Sequence, residues 1–111
     1  MTNTAVLDQD PVLAAIVARL VQEFHPVRIF LFGSRARGDA LPDSDYDVMV
    51  LISSSHEPRY KLAQHAQRAL WGLLNGADVL FLTCDEFDEA ATVACSLPST
   101  VLREGKELYA A

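Results

Sequence analysis

Two apolar runs lie close together in the first half of the chain, and a polar loop that contains a glycine and a serine joins them. Residues 27–32 form the first run, and residues 45–52 form the second, which opens with an Asp-Tyr-Asp triplet. The first run hardly alternates between apolar and polar residues, which is typical of a strand covered on both faces. We therefore predict two neighbouring strands in a sheet with helices packed against it.

The second strand begins with two carboxylates, Asp45 and Asp47. Alternate residues of a strand share a face, so both side chains point the same way, about 7 Å apart at Cα, and Tyr46 points the other way. Neighbouring carboxylates raise each other's pKa unless a cation lies between them. Hard cations such as Mg²⁺ bind carboxylate oxygens together with substrate phosphates. The pair therefore predicts a site for divalent metal ions.

The loop begins with Gly33 and Ser34, directly after the first strand. Gly33 can adopt a positive φ or allow a ligand to approach the backbone closely. Ser34 can cap a short helical turn through Ala36, and the N–H groups of such a turn can bind an anion. By themselves the two residues are better explained as a plain turn and cap, because short motifs often arise by chance.

Two longer helices are predicted on either side of these strands. The first begins at Asp10, an N-cap residue followed by proline, and ends before Pro26. The second covers residues 59–74 and is expected to end at Asn75-Gly76 in a left-handed conformation. Both have apolar residues at helical spacing and therefore one face that can pack on the sheet.

A third strand is predicted over residues 78–83, where Asp78 precedes four apolar residues. A carboxylate at the start of a buried strand is either a solvated charge at the strand end or part of a site. The Asp-x-Asp triplet earlier in the chain favours the second interpretation, because perturbed carboxylates cluster at functional sites.

The end of the chain predicts one more helix and an edge strand. Thr83 followed by Glu86 has the pattern of a capping box, and a helix is expected from there to about Leu97. A short turn over residues 98–105 follows, and residues 106–109 form the final edge strand.

The chain has 111 residues, which predicts one domain over residues 1–111. Its net charge of −6 argues against direct nucleic-acid binding, which requires a basic face. The sequence shows neither a signal peptide nor an apolar stretch long enough to cross a membrane, so we expect a cytoplasmic protein without membrane contact. Cys84 and Cys95 lack the spacing of zinc ligands.

Taken together, Gly33-Ser34, Asp45-x-Asp47 and the later Asp78 resemble the nucleotidyltransferase superfamily that includes DNA polymerase beta. Ten residues separate Ser34 from Asp45. This spacing is the GSX10DXD pattern of the minimal nucleotidyltransferase (MNT) proteins, which are similar in length to this chain. Those proteins are known as antitoxins paired with small helical HEPN toxins. The resemblance extends over nearly the whole chain.

The resemblance implies an α/β (α+β) domain with a small mixed sheet and packed helices, the polymerase beta-like nucleotidyltransferase fold. It also implies three catalytic carboxylates that bind two Mg²⁺ ions. Asp45 and Asp47 would hold both ions, which clamp the attacking and leaving oxygens of an in-line displacement. Asp78 would bind the metal nearer the acceptor hydroxyl and help to remove its proton.

The nucleotide-binding residues implied by the resemblance are Gly33, Ser34, Arg35 and Arg37. Gly33 and Ser34 would hold the β- and γ-phosphates of ATP. Arg35 or Arg37 could neutralise the departing pyrophosphate, because phosphoryl transfer depends mainly on positioning and electrostatics. Each arginine fits a solvated loop charge equally well.

The function implied is that of an antitoxin that transfers AMP from ATP to a tyrosine of its HEPN ribonuclease toxin and so neutralises it. A second hypothesis is a non-enzymatic antitoxin that covers the toxin surface, although a binding module has no need of the carboxylates. A third is a small-molecule nucleotidyltransferase similar to the aminoglycoside adenylyltransferases. Those enzymes carry an additional substrate domain, for which we expect no residues here.

Overall fold

The sheet has four strands and is mixed, as the sequence predicts. In the computed structural model, which describes residues 4–42, 44–54, 57–73 and 76–111, the strand order is β3-β2-β1-β4. The strands are β1 (Arg28–Phe32), β2 (Tyr46–Ile52), β3 (Ala77–Thr83) and β4 (Lys106–Ala110). Strand β1 is antiparallel to β2 and β4, whereas β2 is parallel to β3. The predicted pairing of residues 27–32 with 45–52 is confirmed.

Helices cover both faces of this sheet. They are α1 (Thr4–Gln9), α2 (Pro11–Phe24), α3 (Ser34–Arg37), α4 (Arg59–Ala69), α5 (Cys84–Ala91) and α6 (Leu97–Glu104). Helices α2 and α4 pack on one face, where Leu13 and Leu62 join a core with Val48 and Val50. Helices α5 and α6 contribute Phe87 and Val101 to a second, smaller cluster on the opposite face. The central strands are therefore buried on both sides.

Helix α2 begins and ends where the sequence predicts. The Asp10 carboxylate accepts a hydrogen bond from the Leu13 N–H at 3.1 Å, and Pro11 is the first helical residue. His25 closes the helix in a left-handed conformation, and its N–H donates to the Val21 carbonyl at 3.0 Å. The Asp10 cap fixes the position of the start of α2.

Helix α4 is shorter than the predicted 59–74 and ends at Ala69. The guanidinium of Arg19 donates to the carbonyl oxygens of Ala69, at 3.2 Å, and of Trp71, at 2.8 Å. Gly72 then has a φ of +90°, which turns the chain away from the helix axis. The predicted stop at Asn75 lies outside the described residues.

The predicted helix from the capping box to about Leu97 is shorter and ends at Ala91. The box itself is confirmed, because Glu86 and Thr83 exchange both hydrogen bonds at the start of α5. Cys95 has a φ of +68°, which a helix cannot contain, and the Ser96 hydroxyl then caps α6. The predicted turn over 98–105 is thus helical, whereas the final edge strand is confirmed as β4.

Candidate active site

Strands β2 and β3 bring three carboxylates to one end of the sheet. In the parallel register, Asp47 is the partner of Asp78, and Tyr46 is the partner of Ala77. Asp45 directly precedes β2 and shares the face of Asp47. Asp45 and Asp78 are exposed, whereas Asp47 is half-buried. An incoming ligand could therefore reach all three predicted acidic residues from the same side.

The three carboxylates repel one another. The pKa of the Asp47 carboxyl is raised, first by burial and then by the negative charges of Asp78 and Asp45, while Arg37 opposes the shift. A bound cation would remove this repulsion, so the donor set fits a hard divalent ion that takes carboxylate oxygens. In the described part of the chain, no group of three or more acidic, histidine or cysteine side chains already has the arrangement of a metal site.

Two glycines leave room for these side chains. Gly33 has φ +74° and ψ −156°, a conformation essentially reserved for glycine, and a Cβ atom there would collide with Oδ2 of Asp47. A Cβ atom at Gly76 would lie only 2.7 Å from Oδ1 of Asp45. The predicted positive φ at Gly33 is confirmed, and the group that lies close to its backbone is the Asp47 side chain. The sequence pattern explained Gly76 only as a helix stop and missed its contact with the site.

Helix α3 forms the short turn between the first strand and the carboxylates. Gly33 is its N-cap, and the Gly33 carbonyl accepts from the N–H groups of Ala36 and Arg37, both at 3.1 Å. Ser34 is the first residue of the helix, so the prediction that Ser34 caps the turn is wrong. The cap position lies one residue before Ser34, at Gly33, because only glycine tolerates the backbone angles required there.

The two arginines of α3 have different surroundings. Arg35 donates to the Ser44 carbonyl at 2.7 and 3.0 Å and to the Pro42 carbonyl at 3.1 Å, and its guanidinium lies 4.0 Å from the centroid of the Tyr46 ring. Arg37 is exposed and stabilises the ionised form of Asp47. Its Nε lies 3.4 Å from Oδ2 of Asp39. The charge of Arg37 therefore favours ionised Asp47, and Arg35 holds the loop before the carboxylates.

Tyr46 lies between the two aspartates in sequence and on the opposite face of the strand. Its side chain is only 3% exposed, and its hydroxyl donates to Oδ2 of Asp10 at 2.7 Å. Burial and the Asp10 contact raise the pKa of Tyr46 to about 12. The hydroxyl is therefore protonated at neutral pH and is a permanent donor to Asp10.

The match to a family model identifies the domain that carries these residues. The model of the nucleotidyltransferase domain matches residues 13–108, which include every acidic and glycine residue described above for the site except Asp10. The chain belongs to the nucleotidyltransferase domain family. No curated protein matches the chain. In the described part of the chain, no helix is long and apolar enough to cross a membrane.

Solved structures similar to this nucleotidyltransferase share its fold. One is a toxin-antitoxin crystal structure with AMP-PNP, 28% identical with a TM-score of 0.56, covering 86% of this chain and 72% of the other. A mutant of the toxin-antitoxin MntA-HpeT is 27% identical with a TM-score of 0.58, covering 89% and 72%. A protein from Sulfolobus solfataricus, proposed to be a nucleotidyltransferase, is 26% identical with a TM-score of 0.56, covering 80% and 82%.

Of the residues that the sequence singles out in this nucleotidyltransferase, the structure brings together Asp45, Asp47, Asp78, Gly33 and Arg37. Arg35 is directed to the loop instead. The hydrogen bond between Tyr46 and Asp10 could not be read from the sequence motif. Two signals were present in the sequence. An N-cap aspartate has a second carboxylate oxygen that can accept another hydrogen bond, and a strand residue between two aspartates points to the opposite face.

Proposed function

We propose that this nucleotidyltransferase is an MNT antitoxin that transfers AMP from ATP to a tyrosine of a HEPN toxin. The observation that carries the proposal is the register that pairs Asp47 with Asp78, beside Asp45 and against Gly33. A pure binding module has no need of three clustered carboxylates. The similarity to two toxin-antitoxin structures, one of them with AMP-PNP, supports both the partner class and the nucleotide.

The three carboxylates would hold two Mg²⁺ ions in this proposal. When bound, such a pair of ions stabilises the charge that develops on the attacking and leaving oxygens. Asp45 and Asp47 project from one strand and would contact both ions. Asp78 lies on β3, an edge strand, and is exposed. It is therefore the carboxylate that an acceptor approaching from outside the sheet would meet.

The transfer forms one bond and breaks one. The phenol oxygen of the acceptor tyrosine bonds to the α-phosphorus of ATP, and the bond from that phosphorus to the bridging oxygen of the β-phosphate breaks. Pyrophosphate leaves with the electron pair. Asp78 accepts the phenol proton, which then passes to solvent. The products are AMP-tyrosine and pyrophosphate.

The turn after β1 would position the triphosphate. Gly33 brings the backbone close to Asp47, so a phosphate held by Gly33 and Ser34 would also lie near the metal ions. The charge of Arg37 acts on Asp47, and Arg37 would neutralise the departing pyrophosphate. Arg35 is the weaker candidate for this role, because its donors are directed to the carbonyls of Ser44 and Pro42.

The acceptor in this proposal is a protein in the cytoplasm. Two of the three carboxylates are exposed, so the site itself provides little enclosure for a small acceptor. The net charge of −6 disfavours a nucleic acid. A tyrosine presented on the surface of another protein would meet both conditions.

Mass spectrometry of the toxin after co-expression tests the proposal. We expect AMP adducts on a toxin tyrosine with the wild-type chain and none with Asp47→Asn. Asp88→Asn, the same change at an exposed position of α5, is the matched control and should give wild-type modification. Unmodified toxin in all three cases, with growth rescued equally, would establish the alternative of a non-enzymatic antitoxin.

A further inference from the structure

A chain of contacts lies behind the carboxylates, on the face of β2 that Asp45 and Asp47 do not share. The Tyr46 hydroxyl donates to Asp10, and the Arg35 guanidinium stacks on the Tyr46 ring at 4.0 Å. Arg35 also donates to the Ser44 carbonyl. These contacts join three segments that are distant in sequence: the start of α2, the turn after β1 and the start of β2.

Asp10 connects the start of α2 to the start of β2 through separate oxygens. Its Oδ1 accepts from the Leu13 N–H and caps α2, whereas its Oδ2 accepts from the Tyr46 hydroxyl at 2.7 Å. A buried hydroxyl without a hydrogen-bond partner destabilises the folded state. Since Tyr46 is only 3% exposed, this effect favours the one orientation in which its hydroxyl reaches Asp10.

Arg35 connects the turn after β1 to the same ring. It belongs to α3, which begins directly after Gly33, and it holds the carbonyl of Ser44, the residue before Asp45. Asp45 is therefore flanked by two anchored neighbours, Ser44 and Tyr46. The guanidinium of Arg35 holds both neighbours at once. Its N–H groups donate to the Ser44 carbonyl, and its planar face stacks on the Tyr46 ring.

We propose that Asp10, Tyr46 and Arg35 form a positioning network that sets the distance between the phosphate turn and the carboxylate pair. Tyr46 is its central positioning residue and acts through Asp45 and Asp47 without touching the ligand. The inference rests on the proposed function for the ligand, a complex of a divalent cation with a nucleoside triphosphate. It adds Asp10 and Tyr46 to the residues that determine binding, and it gives Arg35 a positioning role.

Two substitutions break the same hydrogen bond from opposite ends. Tyr46→Phe removes the hydroxyl and keeps the ring beneath Arg35. Asp10→Ser keeps a good N-cap for α2 but lacks the second oxygen that reaches Tyr46. Tyr60→Phe is the matched control, because Tyr60 is an exposed residue of α4.

Calorimetric binding of Mn²⁺ with AMP-PNP measures the effect without turnover, and the melting temperature reports the fold. We expect Tyr46→Phe and Asp10→Ser each to weaken binding about tenfold, as outer-shell substitutions at metal sites do. The double variant should weaken it by no more than either single variant, because only one hydrogen bond is lost. Tyr60→Phe should bind as the wild type does.

The possible results separate this inference from the proposed function. If the wild type binds and both single variants bind equally well, the positioning network is overturned and the nucleotidyltransferase proposal stands. Additive losses in the double variant would also overturn the network, because the two residues would then act separately. A wild-type chain that fails to bind Mn²⁺ with AMP-PNP would overturn both. If one variant fails to melt cooperatively, the other decides between these results.

Discussion

The two ends of one sheet face differ although the same strands form both. At the far end of β2, Met49 and Leu51 are buried beneath α5 and α6. At the near end, Asp45 is exposed and Asp47 is half-buried, on the same face and in the same alternation. The exposure of side chains falls along β3 in the same direction, from exposed Asp78 to half-buried Leu82. A single face thus serves as core at one end and as site at the other.

The extent of α5 and α6 over this face of the sheet determines where the core ends. Helix α5 starts directly after β3 and packs Phe87 against Phe30, with stacked rings whose centroids are 5.5 Å apart. Leu80, the next residue after Asp78 on this face, is already 43% exposed. The carboxylates lie beyond the reach of both helices, so they keep the access to water and ligands that charged groups require.

The largest expected effect lies at the open end. We expect Asp78→Asn to lower the rate of AMP transfer about 1,000-fold, because charge stabilisation by a metal is worth several kcal/mol and each 1.36 kcal/mol is a factor of ten. The melting temperature should not fall, since one of the repelling charges is removed. A wild-type rate for this variant would show that Asp78 is only a solvated charge at a strand end.

At the closed end we expect a loss of stability. Phe87→Ala should lower the free energy of unfolding by about 3 kcal/mol, because it removes a buried ring and leaves a cavity. Leu80→Ala, on the same face but partly exposed, should cost less than about 1 kcal/mol. Urea denaturation measures both values. Equal losses at the two positions would contradict the division of this face into core and site.

Gly33 and Gly38 test the boundary of the site at the phosphate turn. Both have positive φ, so replacing either by alanine should cost about 1–3 kcal/mol in stability. Only a Cβ atom at Gly33 meets the Asp47 carboxylate; one at Gly38 meets nothing within 4 Å. We expect Gly33→Ala to lower transfer about 100-fold, as a displacement of about 1 Å can do, and Gly38→Ala to leave it almost unchanged. Similar transfer rates for both variants would show that the contact between Gly33 and Asp47 has no effect on transfer.

The smallest effect is the pH dependence of stability. The pKa of Asp47 is raised in the folded protein, so the folded state keeps this proton to higher pH than the unfolded chain. Its contribution to stability is therefore lost as pH rises from the ordinary carboxyl pKa through the raised one. In metal-free buffer, the stability gain of Asp47→Asn over the wild type should grow across that window and then level off. A gain that shrinks as pH rises would refute the shift.

Local patterns allowed much of this protein to be predicted. Asp10-Pro11 and His25-Pro26 delimit α2, and Thr83 with Glu86 starts α5, because a cap is formed by residues within one helical turn. The strands could also be predicted from their apolar runs, to within a residue. The spacing from Ser34 to Asp45 indicated the family, which the match over residues 13–108 confirmed.

Only the tertiary structure determined which of these residues meet. The pairing of Asp47 with Asp78 depends on the register of two parallel strands that α4 separates in sequence, and strand register cannot be read from either strand alone. The contact of Gly76 with Asp45 follows from that register. Arg35 and Arg37 are equivalent in a motif, yet they differ once Tyr46 and Ser44 offer Arg35 a ring and a carbonyl. Sequence determined the local conformations because their causes are neighbours in the chain, whereas the site required contacts between segments that only folding brings together.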